Sequence, residues 1–317
     1  MSLLVVGSVA YDSVTTKYGS RTNALGGSGM YFSLSSSFFS EVSLVAVVGD
    51  DFSQAHKDLL SGFKIDLSGL DTAEGNTFRW EGIYDADDVN NRDTIKTELN
   101  VFDNFCPNLH GSHRKSEYLF LANIDPKLQL DILKQMDPRP RLVALDTMDF
   151  WIANHSLQLT EIIKTVDVLF MDQEELKSFT VQDSILSGVK KIQEIGPKII
   201  VVKKGEHGVL LFNNDDIFSV PAFPLLNVLD PTGAGDSFAG GFMGYIANTG
   251  DLSPDGLRRA TVTGSVMGSF AVQEFSVERL LKLRQEEIDE RFRQMVVLTK
   301  FVPLRRTETL PSNRLPR

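Results

Sequence analysis

The sequence is short of cysteine, of long apolar runs and of positive charge, and each shortage removes a class of protein. One cysteine, Cys106, in 317 residues leaves no partner for an intrachain disulfide and no thiolate cluster for a metal. A reducing, cytoplasmic setting is expected. No apolar segment reaches the ~20 residues needed to cross a bilayer. The N-terminus opens on Leu3-Leu4-Val5-Val6 without the basic stretch of a signal peptide, so neither secretion nor membrane insertion is expected. With 32 basic against 42 acidic residues the formal charge is −10, and the acidic residues are dispersed. That pattern argues against a nucleic-acid footprint and an anionic membrane surface. Two nucleotide motifs are also missing. No Gly-rich loop ends in Gly-Lys-Ser/Thr, which removes a Walker-type NTPase. Gly7-Ser8-Val9 after the first strand lacks the G-x-G-x-x-G pattern of a dinucleotide-binding oxidoreductase.

What is present is apolar enough, at 42%, to bury a large core. Leu3 to Val9 reads as a first strand, followed by Asp12 and a polar, turn-rich span from Thr15 to Leu25. Gly26-Gly27-Ser28-Gly29 then introduces a helix over Met30 to Phe39. Val42 to Val48 reads as a second strand, and the Gly49-Asp50-Asp51 turn predicts Asp51 as N-cap of the amphipathic run from Gln54 to Leu60. Thr77 to Tyr84 and Thr94 to Val101 alternate polar and apolar residues around the hydrophilic connector Asp85 to Asn91, which predicts a two-stranded excursion from the main body. Cys106, His110 and His113 match no metal-site spacing, so a solvent-facing connector is expected there. From Tyr118 onward, short apolar strands alternate with helical segments up to Lys203, the pattern of an α/β fold whose parallel sheet carries helices on both faces. A closing hairpin is expected over Val209 to Phe212 and Ile217 to Val220. Gly264 and Gly268, four apart on a helix, predict close packing against either a neighbouring helix or a flat ligand. Residues 303–317 hold three prolines and four arginines and are expected to form a flexible tail.

The chemistry concentrates in Asp230-Pro231-Thr232-Gly233-Ala234-Gly235-Asp236-Ser237-Phe238-Ala239-Gly240-Gly241-Phe242. A Gly-rich loop runs here into an apolar helix, and the first amides of a helix have no intrahelical acceptor and sit at the positive end of its dipole. The loop therefore predicts an anion cradle. Asp236 would repel a phosphate there unless it faces the other reactant and accepts a proton from it. In an open α/β sheet, ligands bind beyond the carboxyl ends of the strands. The polar residues that follow strands are Asp12, Asn123, Asp146, Asp172, Glu175 and Lys203-Lys204-Gly205. Glu175 beside a phosphate site suits a magnesium ion held largely through water, and the lysines suit triphosphate charge.

The run from Asp230 to Phe242 resembles the C-terminal signature of the ribokinase-like (PfkB) carbohydrate kinase family. Gly26-Gly27 resembles the family's N-terminal glycine pair, Val47-Val48-Gly49-Asp50-Asp51 its next turn, and Val201-Val202-Lys203-Lys204-Gly205-Glu206-His207-Gly208 its nucleotide-side strand and turn. The resemblance implies one ribokinase-like three-layer α/β/α domain over 1–302, with a mostly parallel central sheet and a small β-sheet lid from segments near 12–25 and 75–104. It implies an ATP-dependent kinase acting on a hydroxyl of a small sugar or sugar-like acceptor. Asp236 would be the base, with the Gly233, Ala234 and Gly235 amides as anion hole. Asp12, Gly26, Gly27, Tyr31 and Asn123 would line the acceptor side. Lys203, Gly205, Thr232, Asp172 and the Gly264 to Gly268 helix would serve ATP. Glu175 would hold Mg²⁺ through water, and Asp230 resembles a residue that helps hold a monovalent cation such as K⁺ in some members. Two positions depart from the pattern: Asp172 stands where Asn is usual, and Lys203 where a small hydroxyl residue is common. Tyr31 lies near a place where sugar-binding members often carry Asn. A nucleoside kinase and a non-catalytic nucleotide-binding regulator are therefore the alternatives. A homodimer paired through the lid is expected from its exposed face.

Overall fold

In the computed structural model, which describes residues 2–305, 308 and 310, thirteen strands form two sheets. In chain order they are β1 (Leu3–Val6), β2 (Ala10–Thr16), β3 (Gly19–Gly26), β4 (Val42–Gly49), β5 (Ile65–Ala73), β6 (Phe78–Tyr84) and β7 (Arg92–Glu98). They continue as β8 (Tyr118–Leu121), β9 (Leu142–Asp146), β10 (Val168–Asp172), β11 (Ile199–Lys203), β12 (Val209–Asn213) and β13 (Asp216–Val220). The large sheet runs β13-β12-β11-β10-β9-β8-β1-β4-β5, parallel from β11 to β5, with β12 and β13 added as an antiparallel hairpin. The small sheet, β3-β2-β6-β7, draws on two separate stretches of chain. The expected tail over 303–317 lies mostly outside the described residues. Among the described residues, no helix is long and apolar enough to cross a membrane.

Strand periodicity divides the core. Successive side chains of a strand point to opposite faces. Leu3, Val5, Phe120, Ala144, Phe170 and Val201 accordingly pack on one side with the helices Ser28–Ser36, Ala234–Thr249 and Pro254–Ala271. Leu4, Val6, Leu121, Val143, Leu169 and Val202 pack on the other with Pro126–Gln135, Ser156–Ile163, Gln173–Thr180 and Ile185–Ile195. Continuous apolar runs such as LLVV are what burial on both faces demands.

On the first side the helices approach to backbone contact. A Cβ on Gly240 would stand 2.5 Å from the Phe32 carbonyl oxygen, and one on Gly264 would stand 2.7 Å from that of Phe238. A Cβ on Gly268 would meet the Ala234 carbonyl oxygen at 3.2 Å. The pair Gly264 and Gly268 therefore serves helix packing. Of the two expectations, neighbour or flat ligand, the geometry supplies the neighbour.

Other expectations change for local reasons. The span from Thr15 to Leu25 is not turn-rich but mostly strand, paired to β2 and exposed along β3. β5 was not expected, because an edge strand with one solvated side reads as a mixed polar sequence, IDLSGLDTA. Asp51 does not cap the Gln54–Gly62 helix; Ser53 does, accepting from the His56 N–H. Asp51 instead accepts from the N–H and hydroxyl of Thr77, at 2.7 and 2.6 Å, and pairs with Arg79, tying the small sheet to the large one. In the connector around Cys106, His113 is buried rather than solvent-facing, bonded to the Ser68 hydroxyl.

Gly240→Ala is expected to destabilise by about 1–3 kcal/mol in equilibrium denaturation, the usual range for overpacking. Gly62→Ala, at an exposed helix position with nothing within 4 Å, is expected to be neutral or stabilising by up to ~1 kcal/mol. Equal effects at the two sites would remove the close-approach explanation.

Candidate active site

Asp146, Asp172 and Lys203 end β9, β10 and β11 at the carboxyl edge of the parallel strands, and helix Ala234–Thr249 begins beside Lys203. Its N-cap, Gly233, is left-handed at φ 74° and offers no side chain to the first turn. The Tyr31 ring lies directly against Gly233, where any Cβ would collide with it. Position and backbone together therefore demand glycine. The Ala234 N–H bonds the Pro231 carbonyl at 3.2 Å. The Gly233 and Gly235 N–H groups have no backbone acceptor among the described residues. They are the amides left for an anion.

Asp236 follows on the first turn, half-buried, and burial together with the Asp146 charge raises it to about 6 against the pull of Lys203 and Arg92. Asp12 projects from β2 into space that Gly26 vacates, since a Cβ there would overlap its carboxylate. Gly27, at φ 95°, turns its N–H onto that carboxylate. Burial, with the charges of Asp230 and Asp236, lifts Asp12 to about 7. Tyr31 is fully buried with its hydroxyl unpartnered, facing Asp230, Asp12 and Asp236. Asn123 accepts from the Trp151 indole at 2.9 Å, which fixes its amide.

Asp230, expected as a possible cation ligand, also ties the loop in place. Its two oxygens accept the N–H groups of Thr232 and Ser276, each at 2.9 Å, so the carboxylate clamps the loop to the following turn. The Ser276 hydroxyl continues to the Leu25 carbonyl, and Thr16 bonds the Leu229 carbonyl, joining the loop to the small sheet.

On the other side of the loop, Asp172 and Glu175 form a capping box at the start of helix Gln173–Thr180. Asp172 accepts from the Glu175 N–H at 2.8 Å and Glu175 from the Asp172 N–H at 2.7 Å. In register with Asp172 stands Lys203, whose ammonium bonds both oxygens of Asp146 at 3.0 and 3.1 Å. Burial raises Glu175 to about 8, and a carboxyl so disfavoured as an anion gains from a cation. Among the described residues no three His, Cys, Asp or Glu gather to hold a metal alone. That donor set fits an ion that keeps several waters and takes other oxygens from phosphates, as Mg²⁺ does.

The small sheet reaches both sides. Tyr84, at the end of β6, accepts from the Thr232 hydroxyl at 3.2 Å. Asn90, in the connector after it, lies where a side chain on Gly205 would have to go. The Arg92 guanidinium pulls on Asp236 and Asp149. Sequence reasoning passed over these three residues and gave Asp146 no role. The hydrophilic run from Asp85 to Asn91 was the available signal, but which groups it approaches depends on tertiary closure.

Because Asn caps as well as Asp, Asp172→Asn is expected to change stability by less than ~0.5 kcal/mol, while Asp172→Ala loses about 0.5–2 kcal/mol in denaturant titration. Equal losses from both substitutions would contradict the capping role.

A family model for pfkB family carbohydrate kinases matches residues 2–281. The chain is 27% identical over 253 residues to a cytidine kinase of Thermococcus kodakarensis, covering 77% of this chain and 88% of that protein. It is 24% identical over 313 residues to an inositol 3-kinase of Arabidopsis thaliana, covering 90% and 79%. Its fold resembles the crystal structure of the Methanocaldococcus jannaschii nucleoside kinase, an archaeal member of the ribokinase family, with a TM-score of 0.75 over 92% of this chain and 98% of that one at 22% identity. Sheet order, glycine-gated anion loop and family match agree, and the chain belongs to the pfkB family of carbohydrate kinases, ATP-dependent phosphotransferases that act on an alcohol group.

Proposed function

We propose that the protein transfers the γ-phosphoryl group of ATP to a hydroxyl of a small sugar or sugar-like acceptor, with Asp236 as base. The observation that carries this reading is Asp236 on the first turn of a helix whose loop keeps the Gly233 and Gly235 amides without backbone acceptors. Proton acceptor and anion site are thus adjacent, as in-line transfer to an alcohol requires. Asp12, buried opposite, accepts a hydroxyl of the acceptor and orients it, with Gly26, Gly27, Tyr31 and Asn123 around it. Lys203, Gly205, Thr232 and Asp172 lie on the triphosphate side.

The acceptor oxygen forms its bond to the γ-phosphorus as the bond to the bridging oxygen of ADP breaks. The hydroxyl proton passes to Asp236. Loop amides stabilise charge on the phosphoryl oxygens as it develops. Glu175 would hold Mg²⁺ through water, and the ion when bound would further neutralise the phosphates. Tyr84 and Asn90 hold the lid over the crevice and exclude water, which limits hydrolysis of ATP.

A nucleoside acceptor is the second reading, favoured by the cytidine kinase similarity over 77% of the chain. Both readings share the same chemistry and separate in one assay. ADP formation is measured against neutral sugars, polyols, sugar phosphates and nucleosides, with Asp236→Asn as the blank. Turnover in that variant is expected to fall by about two to four orders of magnitude, the scale for a positioned base. ADP release indifferent to every acceptor, or unchanged turnover in Asp236→Asn, would refute the assignment.

The acid side of the pH profile follows from the crowded carboxylates. Asp236 at about 6 and Asp12 at about 7 take up protons as pH falls, and the base is lost in its protonated form. Since the two interact, their apparent values belong to the pair. kcat/KM is expected to decline as pH drops below about 7. An acid limb near the ordinary carboxylate value of about 4 would show that the free enzyme does not raise these groups.

A further inference from the structure

Lys203 is the cation nearest the anion loop. Its side chain is 18% exposed, and its ammonium lies 3.0 Å from one Asp146 oxygen and 3.1 Å from the other. A Cβ on Gly235 would stand 3.2 Å from the same nitrogen. The ammonium therefore lies against Gly235, the residue that carries one of the two amides without a backbone acceptor. Asp146 is itself immobilised: it ends β9, its Oδ1 accepts the Thr147 N–H at 3.1 Å, and the residue is fully enclosed. Burial alone would lower the lysine, but Asp146 and Glu175 outweigh it and hold the group protonated above its ordinary range.

A buried pair of this kind is a poor way to stabilise a fold, because desolvation of both ions offsets most of their attraction. A fixed charge aimed at an anion loop has a better use in transfer, where charge develops on the phosphoryl oxygens and a preorganised cation needs no rearrangement. We infer that Lys203 is a catalytic residue that binds a non-bridging oxygen of the transferring phosphoryl group, and that Asp146 is the positioning residue that holds its ammonium beside Gly235. The inference rests on the kinase reading above. The lysine remains an ammonium throughout: the proton of the acceptor goes to Asp236, the electron pair of the broken bond leaves with ADP, and Lys203 contributes charge alone. It also opposes, at Asp236, the upward push of Asp146, so the pair leaves the base a carboxylate near neutral pH.

The test is carried out on the full chain with Lys203→Met, Lys203→Arg, Asp146→Asn and the double variant Asp146→Asn/Lys203→Met, which removes both charges and so avoids a lone buried carboxylate. Calorimetric titration compares AMP with the non-hydrolysable analogue AMP-PNP in the presence of Mg²⁺, and kinetics use the best acceptor of the panel. For the Lys203→Met and double variants, AMP affinity is expected to stay within about twofold, AMP-PNP affinity to fall at least tenfold, and kcat to fall by about 10²–10³, as for loss of one preorganised charge-stabilising donor. Lys203→Arg is expected to recover part of the AMP-PNP preference. Asp146→Asn is expected to lower kcat while leaving the KM of the acceptor unchanged. A double variant that keeps the wild-type ratio of AMP-PNP to AMP affinity overturns the inference, whatever its stability. Absence of turnover by the wild-type protein with every acceptor counts against the kinase reading, and the affinity ratio still decides the role of Lys203.

Discussion

Like charges crowd the carboxyl edge of the sheet, and the relief of their repulsion orders everything around the crevice. Asp12, Asp146, Asp230 and Asp236 raise one another or are raised by burial. Each has a separate remedy. Asp230 is neutralised by two backbone amides, Asp146 by Lys203, and Asp12 by the amide of Gly27. Asp236 has its own amide, the positive end of its helix and the pull of Lys203 and Arg92. Asp12, with a single compensating amide, is raised further than Asp236, to about 7 against about 6. The glycines belong to the same solution, because only residues without side chains let amides and carboxylates come this close.

Much of this organisation could be read from the chain. Apolar strands buried on both faces announce themselves as unbroken runs, and so β1, β8, β9, β10 and β11 were legible. The motif from Asp230 to Phe242 was legible because its chemistry is local: loop, glycine and helix start are consecutive in sequence. What failed was whatever depended on distant neighbours. Asp51 reads as a cap from its position before a helix, but Ser53 is two residues nearer and Asp51 meets Thr77 and Arg79 across the fold. The tie between Asp230 and the Ser276 amide, forty-six residues later, is equally invisible in the sequence. Gly264 and Gly268 look alike whether a helix or a ring lies opposite, and only the position of Phe238 and Ala234 decides. Asp172 departs from the family's Asn without structural effect, since both residues accept a hydrogen bond from the N3 amide.

The small sheet is joined to the body by several polar ties, beside apolar contacts such as Tyr11 on Phe52. Asp51 to Thr77 and Arg79, Thr16 to the Leu229 carbonyl, and Ser276 to the Leu25 carbonyl form its hinge side, near the acceptor residues. Its free end carries the connector with Asn90 and the strand start with Arg92, both exposed. Hydrogen bonds at such an edge compete with water and open at little cost, whereas the apolar core beneath does not.

One contact set has a thermodynamic meaning beyond closure. Tyr84 touches the loop between the substrates through Thr232, and Asn90 abuts Gly205 on the donor side, while β2 of the same sheet carries Asp12 on the acceptor side. If the proposed function holds and the small sheet moves as one body, both ligands engage it. Whichever binds first bears the free energy of bringing that body down, and the second finds it already in place. Linkage makes the benefit mutual: the factor by which nucleotide tightens the acceptor is the factor by which the acceptor tightens nucleotide. On the kinase reading, the nucleotide and acceptor sites would then form a heterotropic pair, with cooperativity set by how far the small sheet stands open when neither is filled.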